Sequence, residues 1–144
     1  MSEGKSFVGI IVASHGDLSK GLVNAAHLIC GSFKQVEAIT MSPKEGTEVI
    51  DYKFREAIKK VDSGSGVLIL LDLLGGTPSN VCAQLIRNFN IELICGVNLP
   101  MFLEVYLNRN SSDLKTLAKI AEKKGKEGIT NLRERIINAL IENK

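Results

Sequence analysis

Two side chains that can take part in nucleophilic or acid–base chemistry each follow a short apolar run. His15 follows the run FVGIIVA, in Ala-Ser-His-Gly, and Asp72 follows the run VLILL, in Leu-Asp-Leu-Leu-Gly-Gly-Thr-Pro. A carboxylate that accepts the proton of one imidazole nitrogen fixes the tautomer of the ring and leaves the other nitrogen as a nucleophile. Each residue alone has an ordinary structural explanation. Together they predict a catalytic pair that needs no metal or cofactor.

The residues around this pair suit a phosphoryl group. Gly16 lets a phosphate approach the backbone closely, and a helix that begins near Asp17 would direct N–H groups and its positive dipole end toward the site. The turn Gly75-Gly76-Thr77 offers further N–H donors and one hydroxyl. Asp17 would repel a phosphate if it faced the site, but not as the cap of the helix, which its position allows.

Strands and helices that alternate along the chain position these residues. Apolar or β-branched runs predict strands over residues 7–13, 36–41, 67–71 and 91–97, and helical spacing predicts helices over 18–29, 47–61, 78–88, 100–108, 113–124 and 132–142. This alternation predicts an α/β fold with a doubly wound, mainly parallel sheet in the flavodoxin-like order 2-1-3-4. Strands 1 and 3 are then neighbours about 4.8 Å apart, and their carboxyl ends meet where the winding reverses and ligands bind.

The remaining segments around the sheet carry weaker signals. Pro78 suits the first turn of the third helix, and Ser112 or Asp113 caps the fifth. A loop with a short fifth strand is predicted within residues 125–131. Asn98 and Pro100 follow strand 4 at the same edge as His15, where they either line the rim of the site or only turn the chain.

Composition limits the classes of function. The 144 residues suit one domain, 1–144, and a net charge of +2 with no tryptophan argues against a nucleic-acid-binding protein. Three cysteines cannot all pair, so Cys30, Cys82 and Cys95 are expected to be buried free thiols in a reducing compartment. No segment approaches the roughly 20 apolar residues that cross a bilayer, and the polar start is unlike a signal peptide. We therefore expect a cytoplasmic protein without direct membrane insertion.

Four segments together resemble one known family. They are GIIVASHG (residues 9–16), GVLILLDLLGGTPSN (66–80), GVNLPM (96–101) and GKEGITNL (125–132). Their order and spacing are similar to those of the mannose-family enzyme IIA domain of the bacterial phosphoenolpyruvate-dependent sugar phosphotransferase system (PTS). The resemblance covers about residues 7–132.

The resemblance implies a phosphotransferase that works through a phosphohistidine. His15 would accept a phosphoryl group from the phosphocarrier protein HPr and pass it to an enzyme IIB protein, which serves the IIC/IID membrane permease that imports sugar. Asp72 would orient His15, and Thr77 and the Gly75-Gly76 turn would lie around the phosphoryl group. The family forms homodimers and can exchange its fifth strand between subunits; here this strand is expected to be antiparallel and to lie near residues 128–131.

One departure from the family concerns partner docking. Ser79 stands where family members often carry an aromatic residue, which alters the expected docking rim of Ser79, Asn98 and Pro100. The chain ends at Lys144 without a IIB domain, so the acceptor is expected to be a separate protein.

Three alternative functions would use the same residues or the same fold. An IIA-like domain that feeds dihydroxyacetone kinase would keep the chemistry of His15 and change only the acceptor. A flavodoxin-like module would bind a nucleotide or flavin, but the chain lacks GxGxxG, a P-loop lysine and suitable aromatic residues. A metal site built from His15, His27 and the cysteines fits no common zinc spacing, and His27 is expected to be a packing or surface residue.

Overall fold

The computed structural model describes residues 6–143, apart from the side chains of Thr77 and Ser79. Its elements, in chain order, are β1 (Gly9–His15), α1 (Leu18–Cys30), β2 (Val36–Met41), α2 (Thr47–Val61), β3 (Val67–Leu71), α3 (Gly76–Leu85), β4 (Ile91–Cys95), α4 (Leu99–Asn108), α5 (Leu114–Glu127) and α6 (Leu132–Glu142). None of the helices in this described part combines the length and apolar character needed to cross a lipid bilayer.

The four strands form one parallel sheet in the order β2-β1-β3-β4, which confirms the predicted topology. The winding reverses between β1 and β3. The pairing of β1 with β3 ends at Ala13 and Leu71, whereas its pairing with β2 continues through Ser14 and His15. His15 is therefore the last residue of the strand, because the ladder with β2 extends two residues beyond the apolar run.

Alternate strand residues bury two separate cores, one on each face of the sheet. Ile11 and Ile69 face α2 and α3, where they join Phe54 in a continuous apolar cluster. Ile10 and Leu68 face α1, α4 and α5 in the other cluster. Because β1 and β3 are buried on both faces, they are apolar at nearly every position, as parallel strands in doubly wound folds are.

Other predicted boundaries differ by a few residues. Strand β4 ends at Cys95, because Cys95 pairs with the last residue of β3. Helix α3 begins at Gly76 and ends at Leu85, with Pro78 in its first turn as predicted, and residues 86–89 continue as turns instead of helix. Asp113, not Ser112, caps α5, since its side chain accepts the N–H of Thr116 at 2.8 Å.

The predicted fifth strand is not formed. Helix α5 continues to Glu127, and residues 128–131 connect it to α6 without pairing with any strand of the described chain. An isolated strand has no partner for its N–H and C=O groups and is not stable in water. Within residues 6–143, the outer edge of β4 is therefore open, and α6 contains no buried residue. Exchange of this strand between subunits stays a prediction.

Candidate functional site

The carboxyl ends of β1 and β3 bring His15 and Asp72 into contact, as the sequence predicted. The Nδ1 atom of His15 lies 3.0 Å from Oδ2 of Asp72, and the backbone N–H of His15 donates to the same oxygen at 2.9 Å. The N–H of Asp72 in turn donates to the carbonyl of Ala13 at 3.1 Å. One carboxylate oxygen therefore holds both the main chain and the ring of the histidine.

The exposure of the two side chains differs in a way that suits a nucleophile. The side chain of His15 is 52% exposed, whereas that of Asp72 is 13% exposed. Asp72 accepts hydrogen bonds, so the neutral ring carries its proton on Nδ1 and keeps a lone pair on Nε2. This tautomer leaves the lone pair of Nε2 available on a half-exposed ring.

The second oxygen of Asp72, Oδ1, is buried and has no hydrogen-bond partner among the described residues. A buried acceptor without a partner is costly, and a weakly solvated carboxylate attracts a nearby proton donor more strongly than an exposed one. The contact with His15 is therefore the main compensation for the charge of Asp72.

The turn between β1 and α1 depends on a residue that the sequence analysis did not select. Ser14 is fully buried, and its Oγ accepts the N–H of Ser19 at 2.7 Å and donates to the carbonyl of Gly16 at 3.1 Å. Asp17 occupies the N-cap position of α1 but makes no side-chain cap bond, so its predicted capping role is wrong. The hydroxyl of Ser14 takes the first-turn donor instead. The sequence feature that could have indicated this role is a single hydroxyl residue at the end of an otherwise apolar strand.

Gly16, the residue after His15, is not crowded by other parts of the chain. Its φ of +59° lies in the left-handed region, and apart from its two chain neighbours no residue has an atom within 4 Å of the place where a Cβ would stand. Its own N–H is engaged, because it donates to the carbonyl of Met41 at 2.9 Å. The predicted close approach to the Gly16 backbone is thus sterically open, although this N–H is not one of the donors.

The turn after Asp72 leads into α3. Gly75 and Gly76 have φ values of +101° and +75°, which favour glycine, and both are exposed. The predicted contacts of the Thr77 and Ser79 side chains lie outside the described residues. The turn thus follows directly on the aspartate that holds His15.

The residues after β4 are held in place by hydrogen bonds and packing. Asn98 caps α4 by accepting the N–H of Met101 at 3.0 Å, and its Nδ2 donates to the carbonyl of Gly125 at 2.9 Å. Pro100 is half-buried, and a Cβ on Gly128 would come within 2.5 Å of it. This geometry favours the turn-forming alternative for both residues, and their role in docking stays a prediction.

The cysteines near the site are poor nucleophiles. All three are free; Cys82 is buried as predicted, whereas Cys30 and Cys95 are only partly so. Burial raises the pKa of Cys82 to about 12, and burial together with the nearby charge of Asp72 also raises the pKa of Cys95. Thiolates are therefore scarce at neutral pH at these two positions. No group of three His, Cys, Asp or Glu side chains within residues 6–143 is arranged to hold a metal ion.

Comparison with known proteins identifies the family. Residues 9–122 match the EIIA-man family model, described as the PTS system fructose IIA component. The chain belongs to this family. It is 32% identical over 128 residues to the sorbose-specific EIIA component of Lacticaseibacillus casei, covering 88% of this chain and 92% of that protein. It is also 32% identical over 111 residues to the fructose-specific EIIA component of Bacillus subtilis strain 168, covering 76% of each.

Longer relatives and solved structures agree with this EIIA assignment. The chain is 30% identical over 128 residues to the mannose-specific EIIAB component of Escherichia coli K12, with 88% of this chain covered, but it spans only 40% of that protein's length. The crystal structure of EIIA from Streptococcus agalactiae superposes with a TM-score of 0.80 at 26% identity, covering 88% of this chain and 98% of the other. These likenesses do not favour the dihydroxyacetone kinase or flavodoxin-like alternatives.

Proposed function

We propose that this EIIA-family chain is a cytoplasmic phosphocarrier of a mannose-family sugar PTS. His15 accepts a phosphoryl group from phospho-HPr and passes it to an enzyme IIB protein, which serves the IIC/IID permease. One observation carries the proposal: the ring of His15 is half-exposed while its Nδ1 lies 3.0 Å from the nearly buried Asp72. That arrangement leaves Nε2 as the phosphoryl acceptor.

The transfer proceeds by nucleophilic substitution at phosphorus. The Nε2 lone pair forms a bond to the phosphorus of phosphohistidine on HPr, and the bond from that phosphorus to the donor nitrogen breaks, with its electron pair returning to the HPr ring. His15 keeps its Nδ1 proton, and the Asp72 carboxylate stabilises the positive charge on the phosphorylated ring. Transfer to enzyme IIB repeats the exchange with phosphohistidine of this chain as the donor.

The surroundings of Nε2 support a bound phosphoryl group. The open space at Gly16 admits phosphate oxygens beside the ring, and α1 begins two residues later with its positive dipole end at the same edge of the sheet. We assign the Gly75-Gly76 turn and the Thr77 hydroxyl to the same phosphoryl site, on the strength of their position directly after Asp72.

We also propose that the chain works as a homodimer. Helix α6 has no buried residue, and five of its apolar side chains are exposed by between 39% and 65%: Leu132, Ile136, Ile137, Leu140 and Ile141. Together with the open edge of β4, this exposed face suits a second copy that pairs residues 128–131 as an antiparallel strand.

The phosphoryl-transfer function is tested by intact-mass spectrometry. The purified protein is incubated with phosphoenolpyruvate, enzyme I and HPr, and we expect one acid-labile phosphoryl group per chain. The group should be absent from His15→Ala and retained in His27→Ala. His27 is a suitable control because it is an exposed histidine of α1, and its ring contacts Phe33 edge-on. A phosphoryl group that persists in His15→Ala would contradict the assignment.

A further inference from the structure

Ser14 is a buried polar residue that phosphoryl transfer does not use directly. It follows the buried residues Gly9–Ala13 of β1 and is itself 0% exposed. A hydroxyl in such a place is costly unless it is hydrogen-bonded, and Ser14 makes two such bonds through one atom. The next residue, His15, is the proposed phosphoryl acceptor. The hydroxyl of Ser14 is therefore adjacent in sequence to the reacting histidine, but it is too buried to contact a phosphate.

The two bonds of Ser14 Oγ close the turn that follows His15. One fixes the carbonyl of Gly16 and the other fixes the first turn of α1 through the N–H of Ser19. Gly16 has a φ of +59° and no Cβ, so its own backbone offers little resistance to rotation. The adjoining Asp17 makes no side-chain cap bond that could replace the serine. The N–H of Gly16 is held by the carbonyl of Met41, so it is the carbonyl of Gly16 whose orientation depends on this hydroxyl.

We propose that Ser14 is a positioning residue for phosphoryl transfer, one that holds the His15–Gly16 backbone so that the ring keeps both its contact with Asp72 and its open face. The inference rests on the proposed function of His15. The hydroxyl acts only through the main chain, since it is fully buried. Displacement of a reacting atom by about 1 Å can slow a reaction by roughly 100-fold, so a small rotation of this turn is sufficient to matter.

Ser19 provides a matched control. It is also 0% exposed, lies on the same turn, and uses its Oγ in one bond of 2.8 Å to the carbonyl of Ile39. Removal of this hydroxyl disturbs the contact between α1 and β2, and leaves the bonds of Ser14 Oγ in place. Ser14→Ala and Ser19→Ala thus delete the same group from equally buried positions, and only one of them releases the Gly16 carbonyl.

The experiment measures single-turnover phosphorylation of each variant by rapid quench at several concentrations of phospho-HPr. For Ser14→Ala we expect the maximal rate to fall about tenfold or more, with the half-saturating concentration of phospho-HPr unchanged. Ser19→Ala should lose a comparable amount of thermal stability and keep the wild-type rate. Ser14→Thr, which retains a hydroxyl, should recover most of the rate.

The inference is overturned if Ser14→Ala transfers as fast as wild type, if its rate falls no further than that of Ser19→Ala, or if only its half-saturating concentration changes. Should Ser14→Ala fail to fold, Ser14→Cys weakens the same two bonds and is compared with Ser19→Cys. Failure of the proposed function is distinguishable, because the wild-type protein itself would then carry no phosphoryl group on His15.

Discussion

Asp72 controls His15 through a single oxygen atom. Oδ2 accepts both the N–H and the ring proton of the histidine, while Oδ1 has no partner among the described residues. The two bonds restrict the ring in different ways, since one fixes its main chain and the other fixes its tautomer. In the proposed function, a carboxylate in this position orients the nucleophilic ring and stabilises the charge that develops on it.

An asparagine at position 72 removes the charge and replaces one acceptor oxygen by a donor NH₂, with little change of shape. Asp72→Asn can turn its amide NH₂ toward Nδ1, which favours the tautomer with the proton on Nε2 and blocks the nucleophilic lone pair. We expect the variant to fold and its rate of phosphorylation by phospho-HPr to fall by roughly 100-fold. Rapid-quench assays beside circular dichroism measure both properties.

Asp17→Asn is the control for this prediction. Asp17 is an exposed carboxylate on the same turn, two residues from His15, and it makes no side-chain cap bond. Its replacement should leave the transfer rate close to that of wild type. Equal rates for Asp72→Asn and wild type would mean that Asp72 only shapes the turn.

At the scale of the elements, the strands and helices whose ends depend only on their own residues were predictable from the sequence. Apolar runs and helical spacing predicted β2, β3, α2 and α6 with their observed ends. The ends of β1 and β4 depend on which neighbour continues the ladder, and that information is absent from either strand alone. The capping of α1 failed for a related reason, because a serine from the preceding strand reaches the donor that Asp17 was expected to bind.

Two glycines in different elements test how closely β1 packs. A Cβ on Gly9 would lie 2.4 Å from the carbonyl oxygen of Val61, at the end of α2, whereas nothing lies within 4 Å of a Cβ on Gly21 in α1. Gly9→Ala should therefore lower the free energy of unfolding by about 1–3 kcal/mol. Gly21→Ala should raise it by about 0.5–1 kcal/mol, since alanine favours the helix.

Urea titrations at one protein concentration measure both changes, and the fixed concentration removes any effect of association. The opposite signs are the decisive result, because both variants add the same methyl group. A Gly9→Ala protein as stable as wild type would show that α2 can move away from β1 without cost.

At the scale of the whole molecule, the chain forms two complete cores and leaves one helix outside them. The apolar clusters are built from the sheet and α1 to α5, and α6 adds no buried residue to either. Full burial of a large aliphatic side chain is worth about 1.5–3 kcal/mol, so its five exposed apolar residues favour association. The sequence predicted this helix correctly but could not show what packs against it. The spacing of apolar residues identifies the apolar face of a helix and does not identify the surface that covers that face.

Two segments are candidates for the contact between subunits: α6 and the predicted exchanged strand at residues 128–131. A chain that ends at Asn131 keeps residues 128–131 and loses α6. We expect it to retain the sheet and both cores, because no residue of α6 is buried or belongs to either core. Light scattering coupled to size exclusion should show a loss of dimer, and Ile136→Glu in the full chain should have the same effect.

Arg135→Glu, one position along the same helix but outside its apolar residues, should leave the dimer intact. A truncated chain that keeps the dimer mass would assign association to the strand alone, whereas dissociation of both α6 variants would make the helix the principal contact between subunits.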